Sequence, residues 1–337
     1  MSRIYFDDVG SLSVLDGAVV SIIGYGNQGA AQAQNLRDSG ISVVVGNARD
    51  ESYEAAVRDG FDTFDVAGAI AKADIHLLLL PDEVMPAVFA SEVKPYLVDG
   101  QALVVASGYN VSYGFIRVPR TIDLLMIAPR MIGTGVRRGY VDGRGFPSLV
   151  SVEQDATGKA EERMLALAKA VGTLRGGAVA SSCDEETLCD LFNEHFGYVY
   201  ALRRAYELLV EAGASPEAAL LEFWASGEEM ELARVHMTHG LFHQLELHSK
   251  VSQYGQEVTS RLSLDDEERE RRRLRQIIGR IKDGSFAKEW ALEQQAGLPV
   301  WRRVRQENAS HPMIKEEERL LSSLGVLERP VGAPFEV

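Results

Sequence analysis

The sequence predicts an α/β Rossmann domain, a doubly wound parallel sheet, followed by an all-α domain. Three observations support this. Short apolar runs alternate with helical stretches over residues 18–180, a glycine-rich loop directly follows the first run, and the strand pattern then stops. A chain of 337 residues also exceeds what one hydrophobic core usually supports. We therefore expect a Rossmann domain at 1–181, a helical domain at 182–327 and a tail at 328–337.

The predicted strands are apolar runs rich in β-branched residues. In chain order they are AVVSIIG, ISVVVG, IHLLLLP, ALVVAS, LLMIAP and SLVSV. Because the runs are apolar at nearly every position, both faces of each strand are expected to be buried, as in a parallel sheet covered by helices. Ligands of such sheets bind at the carboxyl ends of the strands.

The loop immediately after the first run matches the GxGxxG pattern of dinucleotide-binding proteins. Its first glycine, Gly24, allows a tight turn, Gly26 lets the backbone approach a pyrophosphate, and Gly29 lets helix and strand pack closely. The pyrophosphate would lie at the N-terminus of the following helix. We predict that the whole loop binds the cofactor, namely Gly24, Tyr25, Gly26, Asn27, Gln28 and Gly29.

The segment after the second run decides between the two nicotinamide dinucleotides. Arg49 and Ser52 have the chemistry to hold a 2′-phosphate, whereas the acidic pair between them would repel it and bind a ribose hydroxyl. Arg49 lies nearest to the strand end, so the sequence favours NADPH and leaves NADH open. Pro81 and Asp82, at the carboxyl end of the third run, are also predicted to contact the cofactor.

Long helical segments follow the last predicted strand. Gly213 closes one of them, and Ser215 and Pro216 open the next as N-cap and first-turn proline. The charged segment DDEERERRRLRQIIGRIKDG has its acids first, its bases later and a glycine last, an order that suits the helix macrodipole. We interpret this segment as a solvated helix face.

Composition limits the partners and the compartment. The formal net charge of -14 argues against nucleic-acid binding, which needs clustered Lys and Arg. The longest apolar run, at 75–81, is far too short to span a membrane, and the N-terminus lacks the pattern of a signal peptide. Two cysteines do not make a disulfide framework, so a reducing compartment fits. We expect a cytoplasmic protein that acts on a small molecule.

Several long strings, spread over nearly the whole chain, resemble the short-form ketol-acid reductoisomerases. They include GYGNQGAAQAQNLRDSG, LLLLPDE, MIAPR, RRGYVDGRGFPSLVSVEQDATGKA, ETLCDLFNEH, DGSFAKEWALEQQAGLP and HPMIKEEERLL. The resemblance implies conversion of acetohydroxy acids to dihydroxy acids, with two magnesium ions for an alkyl migration and NAD(P)H for the reduction. It also implies that the helical domain is knotted and forms a homodimer, an exception to the rule that folds are not knotted.

The same resemblance assigns residues to the metal and the substrate. It implies metal ligands at Asp190 and Glu194, which their i,i+4 spacing places on one helix face. Glu222 matches the third acid of the family pattern, and Ser249 matches its substrate-contacting serine.

The sequence departs from the family pattern at three positions. Ser226 stands where the last metal-binding acid would fall, Arg130 replaces a lysine, and Ser107 replaces a histidine. Three remaining carboxylates suit one magnesium ion but are poor for two adjacent dications, so we expect one ion or none. Lysine can lose its proton on burial and arginine effectively cannot, so Arg130 is expected to clamp an anion.

These departures affect the predicted reaction. Migration depends on both metals, whereas hydride transfer needs only a positioned nicotinamide and a stabilised anion. The sequence therefore favours a reductase of a C=O or C=N bond in a carboxylate-bearing substrate, without migration. Glu222 or Tyr109 would donate the proton, and Ser107 and Ser249 complete the predicted catalytic set. Two alternatives stay open, an authentic ketol-acid reductoisomerase with an unusual metal site and a catalytically silent dinucleotide-binding protein.

Overall fold

A computed structural model describes residues 2–262 and 267–328 of the chain. The fold divides after Asp190 into two compact units. The first unit is a sheet flanked by helices, and the second is helical wherever it has regular structure in the described residues. Within those residues no helix is both long and apolar enough to cross a lipid bilayer.

The first unit is built on one nine-stranded sheet. Its strands are β1 Ile4–Tyr5, β2 Val19–Ile23, β3 Ser42–Gly46, β4 Asp62–Phe64, β5 Ile75–Leu78, β6 Ala102–Val105, β7 Asp123–Pro129, β8 Ser148–Gln154 and β9 Ala178–Ala180. Across the sheet they lie in the order β1-β9-β8-β7-β6-β5-β2-β3-β4. Neighbouring strands are parallel except in the pairs β7–β8 and β1–β9, which are antiparallel.

Strands β4-β3-β2-β5-β6-β7 reproduce the order of dinucleotide-binding Rossmann sheets. The direction of winding reverses between β2 and β5, so a crevice opens at the carboxyl ends of these two strands. Such crevices are where open α/β sheets bind their ligands. The predicted Rossmann fold with a helical second domain is confirmed.

All six predicted runs form strands, and three strands escape prediction. β1, β4 and β9 contain only two or three residues each, too few to show a pattern. The sequence also predicts a parallel β8, whereas β8 runs antiparallel to β7. A continuous apolar run indicates that both faces of a strand are buried but carries no information about its direction.

The helices of the first unit cover both faces of the sheet. They are α1 Asn27–Asp38, α2 Glu51–Arg58, α3 Val66–Ile70, α4 Met85–Val88, α5 Tyr109–Ser112, α6 Gly133–Val141, α7 Ala160–Val171, α8 Thr173–Gly176 and the start of α9 Cys183–His195, whose residues after Asp190 belong to the second unit. Val20 and Ile22 of β2 belong to the buried cluster that includes α1 and α7, while Ile23 belongs to the cluster that includes α3. This alternation places one core on each side of the sheet.

The second unit consists of α10 Tyr198–Glu211, α11 Pro216–Leu220, α12 Glu228–His239, α13 Lys250–Tyr254, α14 Ser260–Leu262, α15 Glu267–Lys282, α16 Ser285–Gln295, α17 Pro299–Ala309 and α18 Pro312–Ser323, together with short 3₁₀ and π turns. As predicted, Ser215 caps α11, accepting a hydrogen bond from the Ala218 backbone N–H at 3.2 Å, and Pro216 opens the helix. Gly213 follows α10 with φ +100°.

Candidate active site

In the loop between β2 and α1, backbone geometry requires glycine at two of the three glycine positions of the GxGxxG pattern. Gly24 has φ +95°, and a Cβ there would lie 2.7 Å from the Leu79 carbonyl oxygen after β5. A Cβ on Gly29 would overlap the Gly24 carbonyl. Around Gly26, by contrast, an added Cβ would find nothing within 4 Å. That open space is what the approach of a pyrophosphate to the backbone requires.

The other loop side chains are engaged within the first unit. Tyr25 points into the core, where its hydroxyl donates to Asp59 at 2.7 Å, so its predicted cofactor contact would have to come from its backbone. Gln28 Nε2 donates to the Met131 carbonyl at 2.8 Å, and the Asn27 side chain accepts a hydrogen bond from Gly133. These bonds tie the loop to the start of α6 and fix its shape before any cofactor binds.

The segment that selects the cofactor lies between β3 and α2. Asp50 is the N-cap of α2 and accepts hydrogen bonds from the backbone N–H groups of Ser52 and Tyr53 at 2.9 and 3.1 Å. The exposed Arg49 stacks its guanidinium on the Tyr53 ring, 5.2 Å from the ring centroid. The Asp50 carboxylate therefore caps α2, while the Arg49 guanidinium is exposed to solvent.

Three adjacent parallel strands, β5, β6 and β7, end at one edge of the sheet and bring Asp82, Ser107 and Arg130 to that edge. Asp82 accepts a hydrogen bond from Asn110 Nδ2 at 2.8 Å and a longer one from Ser107 Oγ at 3.5 Å. Pro81, next to Asp82, is exposed. The residues that follow β5 and β6 thus form one hydrogen-bonded group.

Arg130 is held by two carboxylates of α9. Its Nη2 donates to Glu186 Oε1 at 2.6 Å, and its Nη1 donates to Asp190 Oδ1 at 2.9 Å. Glu186 also accepts the Gly108 backbone N–H at 2.7 Å. The Glu186 side chain is 1% exposed, the Arg130 side chain 32%. We call Asp82, Arg130, Glu186 and Asp190 the charged cluster.

Burial and like charges shift two of these carboxyl groups. Burial, followed by the charges of Glu186 and Glu83, raises the pKa of Asp82 to about 6. Burial also raises the pKa of Glu186, against the opposing effects of the Gly108 N–H and the Arg130 guanidinium. Perturbed carboxyl groups in a strand-end crevice are typical of functional sites.

Tyr109 is the first residue of α5, in the segment that follows β6 and also carries Ser107. Its hydroxyl is buried and has no hydrogen-bond partner among the residues described. The ring packs on Tyr113 and Phe115 at centroid distances of 5.1 and 5.8 Å. Burial, then the neighbouring Tyr113 and Asp82, raises the pKa of the phenol. A proton-donating role for Tyr109 stays a prediction.

The remaining predicted site residues belong to the second unit and are exposed there. Glu194 lies in the last turn of α9, and Glu222 lies in the π turn Leu221–Ala225 that follows α11. Ser226 Oγ accepts the Glu228 backbone N–H at 3.3 Å, and Ser249 caps α13. No finding tests their predicted roles, which stay predictions.

The donor set can be tested against the two magnesium ions that the family resemblance implies. Asp190 already binds Arg130, and a serine replaces the fourth acid at position 226. In the part of the chain that the structure describes, no group of three or more His, Cys, Asp or Glu side chains is arranged to hold a metal ion. Asp190, Glu194 and Glu222 nevertheless supply three of the four acids of the family pattern, and carboxylate oxygens are the ligands that a divalent magnesium ion prefers.

Comparison with known proteins decides the family. Residues 14–177 match the family model described as acetohydroxy acid isomeroreductase, NADPH-binding domain, and residues 183–324 match that described as ketol-acid reductoisomerase, C-terminal domain. The chain belongs to the ketol-acid reductoisomerase family. The predicted family and the prediction of an NAD(P)H-dependent oxidoreductase are both confirmed.

Relatives of this family match along almost the full chain. A protein of Saccharolobus solfataricus is 43% identical, covering 93% of this chain and 96% of its own length. Proteins named ketol-acid reductoisomerase (NADP(+)) from Pyrobaculum aerophilum and Methanopyrus kandleri are 37% and 38% identical, covering 95% and 96% of this chain and 98% and 99% of their own lengths. The structure of an NADH-preferring ketol-acid reductoisomerase from an uncultured archaeon superposes with a TM-score of 0.89 at 32% identity, over 97% of this chain and 100% of that one.

Sequence reasoning missed Glu186, Asn110 and the backbone of Gly108. Glu186 precedes Asp190 by four residues on the helix that also carries Glu194, so the i,i+4 spacing that drew attention to the later pair extends to it. That signal was available. Nothing in the local pattern around Asn110 distinguishes it from a loop residue.

Proposed function

We propose that the protein catalyses the ketol-acid reductoisomerase reaction, converting an acetohydroxy acid into a dihydroxy acid at the expense of NADPH. The observation that carries this proposal is the match over both units to relatives named ketol-acid reductoisomerase (NADP(+)), which cover 95% and 96% of the chain. The loop from Gly24 to Gly29, which we call the dinucleotide loop, and the charged cluster both lie at the carboxyl edge of one sheet. This placement supports binding of the nicotinamide and the substrate next to each other at that edge.

NADPH rather than NADH is proposed as the preferred cofactor. The Asp50 carboxylate caps α2, and the exposed Arg49 guanidinium lies next to it at the start of the same helix. A guanidinium can bind a 2′-phosphate through two parallel hydrogen bonds. The roles proposed for the rest of the loop follow from the backbone geometry of Gly24, Gly26 and Gly29.

We further propose a cytoplasmic homodimer formed through the second unit. That unit exposes large apolar side chains, including Leu208 at 64%, Met237 at 80% and Phe242 at 75%. Apolar surface of this extent commonly marks a protein interface. Both cysteines, Cys183 and Cys189, are free thiols, as suits a reducing compartment.

Reduction without migration is the second candidate function. The specific observation in its favour is that Arg130 binds Asp190, a residue expected to ligate metal, while position 226 offers a hydroxyl. Hydride transfer to a ketone needs the new oxyanion stabilised, and a positioned guanidinium supplies that. Alkyl migration depends more strongly than hydride transfer on the groups that Ser226, Arg130 and Ser107 replace.

One experiment separates the two candidates. NADPH oxidation is followed with magnesium on 2-acetolactate, which needs migration and reduction, and on 3-hydroxy-3-methyl-2-ketobutyrate, which needs reduction alone. Turnover of acetolactate at about 1 per second or faster, an ordinary enzyme rate, supports the first proposal. Turnover of the second substrate alone supports the second candidate. If neither substrate oxidises NADPH, both are wrong.

A further inference from the structure

We infer that the second unit binds a small molecule with two or more phosphate groups, such as a nucleoside diphosphate, in a cavity between α10 and α15. The cavity has a volume of about 870 Å³, which lies in the usual range of small-molecule sites. All the residues that line it belong to the second unit, whereas the dinucleotide loop belongs to the first. The inference therefore concerns a second ligand and does not rest on the proposed function.

The lining of the cavity is positively charged, although the chain as a whole is acidic. The formal net charge of the chain is -14, yet the lining contains four arginines against one glutamate, a net charge of +3. A concave surface lined by one sign of charge concentrates ions of the opposite sign. The lining arginines are Arg204 of α10 and Arg269, Arg272 and Arg273 of α15.

Helix α15 divides its arginines between two faces. The three that line the cavity follow the i, i+3, i+4 spacing of a single face. On the other face Arg271 donates to Glu267 at 2.8 Å and Arg275 donates to Glu268 at 2.9 Å. Arg272, by contrast, forms no ion pair with any residue that the structure describes. The charged segment therefore has one face whose arginines are paired and one face that directs a cation into the cavity.

The single glutamate of the lining is used within the cavity wall. Arg273 donates to both carboxylate oxygens of Glu270, at 2.7 and 2.9 Å, and to the Phe196 carbonyl at 3.2 Å. The hydrogen bonds from Arg273, followed by the charges of Arg273 and Arg204, hold the pKa of Glu270 below its usual value. Among the described residues Arg204 has no ion pair of its own. Arg204 and Arg272 are therefore the guanidiniums with which an incoming anion can pair.

The chemistry of the lining points to an organic phosphate. Guanidinium groups bind phosphate oxygens through parallel charge-assisted hydrogen bonds, and two phosphate groups supply enough oxygen atoms for more than one arginine. Phe196 and Tyr200 also line the cavity, and they are 47% and 41% exposed. Their rings offer an apolar surface on which the planar part of a ligand can pack. A nucleoside diphosphate combines both features.

Chemical modification of arginine tests the inference at single residues. The full chain is treated with phenylglyoxal with and without excess ADP, and modified arginines are located by peptide mass spectrometry. ADP should slow modification of Arg204 and Arg272 at least ~5-fold, as mass action predicts for a site that is nearly filled. Arg271 and Arg275, which lie outside the cavity, should react at unchanged rates. Adenosine, which has the same ring system and no phosphate, should protect none of the four.

Calorimetry with ADP supplies the second arm, with NADPH in slight excess over the protein to occupy the proposed cofactor site. Arg204→Ala combined with Arg272→Ala should weaken ADP binding at least ~10-fold, because it removes charge-assisted hydrogen bonds to phosphate. Arg271→Ala combined with Arg275→Ala is the matched control, since it removes the same charge outside the cavity. It should change ADP affinity less than ~2-fold, as expected for exposed charges that do not touch the ligand.

Two results would overturn the inference. The first is an equal loss of ADP affinity in the two double variants, which would mean that ADP responds only to the overall charge. The second is no protection of Arg204 and Arg272 by ADP, which is also the result expected if a second copy of the chain covers the cavity. NADPH affinity within threefold of normal shows that each variant is folded. Neither arm measures turnover, so a failure of the proposed reaction leaves this test intact.

Discussion

The dinucleotide loop and the charged cluster lie at the same edge of one sheet but tolerate change to different degrees. At Gly24 and Gly29 the backbone itself leaves no room for a Cβ, so the pattern of the loop is dictated by main-chain geometry. The charged cluster is made of side chains, and at position 130 within it and position 107 beside it this chain departs from the family pattern. The comparison teaches that the glycine-rich loop, proposed to bind the cofactor, is the rigid part of this edge and that the side chains of the charged cluster are the exchangeable part.

The strongest test of the rigid part is Gly29→Ala. The new Cβ would overlap the Gly24 carbonyl, and either the turn or the start of α1 must move. Forced overpacking of this kind commonly costs ~1–3 kcal/mol of folding free energy, and NADPH affinity should fall by ~100-fold or more as the turn shifts. Calorimetry with NADPH and urea unfolding measure the two effects.

Gly26→Ala is the matched control, because its Cβ meets nothing within 4 Å in the chain itself. Its stability should stay within ~0.5 kcal/mol of normal, while NADPH binding weakens because the pyrophosphate approach is blocked. Normal NADPH affinity in Gly29→Ala would show that the loop is not rigid. The claim that the loop tolerates less change than the charged cluster would then be wrong.

The next prediction concerns Asp82 in the exchangeable part. The pKa of its carboxyl is raised from about 3.8 to about 6 by burial and by neighbouring acids. A raised carboxyl pKa stabilises the native state fully below pH ~4, and this stabilisation is lost as the pH rises through ~6. Asp82→Asn lacks the titration, so it should match the normal protein near pH 4 and exceed it by ~2 kcal/mol at pH 7.5.

Urea unfolding of both proteins at the two pH values gives the difference directly. Asp65→Asn is a suitable control, because Asp65 is an exposed N-cap that accepts the Gly68 N–H. A difference for Asp82→Asn that stays flat with pH would mean that Asp82 ionises normally.

The smallest effect is expected at Arg49. Removing the guanidinium with Arg49→Ala should weaken NADPH binding by ~10-fold, the lower end of what one charge-assisted hydrogen bond contributes, and leave NADH binding unchanged. Arg58→Ala, at the far end of α2, should change neither affinity. An equal loss for NADPH and NADH would remove Arg49 from cofactor selection.

The two regions also differ in how far sequence alone could predict them. The loop was predictable because GxGxxG records backbone constraints in consecutive residues, although the inward direction of Tyr25 depends on its partner Asp59 from beyond α2. Asp82, Ser107 and Arg130 come from three strand ends, and their meeting follows from strand order. Of their partners, Glu186 could have been found from its i,i+4 spacing to Asp190, whereas Asn110 depends on side-chain packing that no local pattern encodes.

The same limit applies to the sheet. Buried runs of four to seven residues identify six strands, whereas β1, β4 and β9 exist because neighbouring strands offer hydrogen bonds to short segments. The antiparallel course of β8 is set by the segment that carries α6, which leaves and re-enters the sheet at the same edge. Strand direction and the pairing of short strands depend on residues distant in the chain, so a short stretch of sequence does not predict them.

The return of β8 beside β7 has an evolutionary consequence. Pro129 pairs with Ser148, and the Arg130 N–H bonds to the Pro147 carbonyl at 2.9 Å, so both ends of the intervening excursion are clamped by main-chain bonds. The backbone at position 130 is therefore indifferent to the side chain it carries. A replacement there, such as arginine for the lysine of the family pattern, changes the side chain offered at the strand end while both main-chain bonds stay in place.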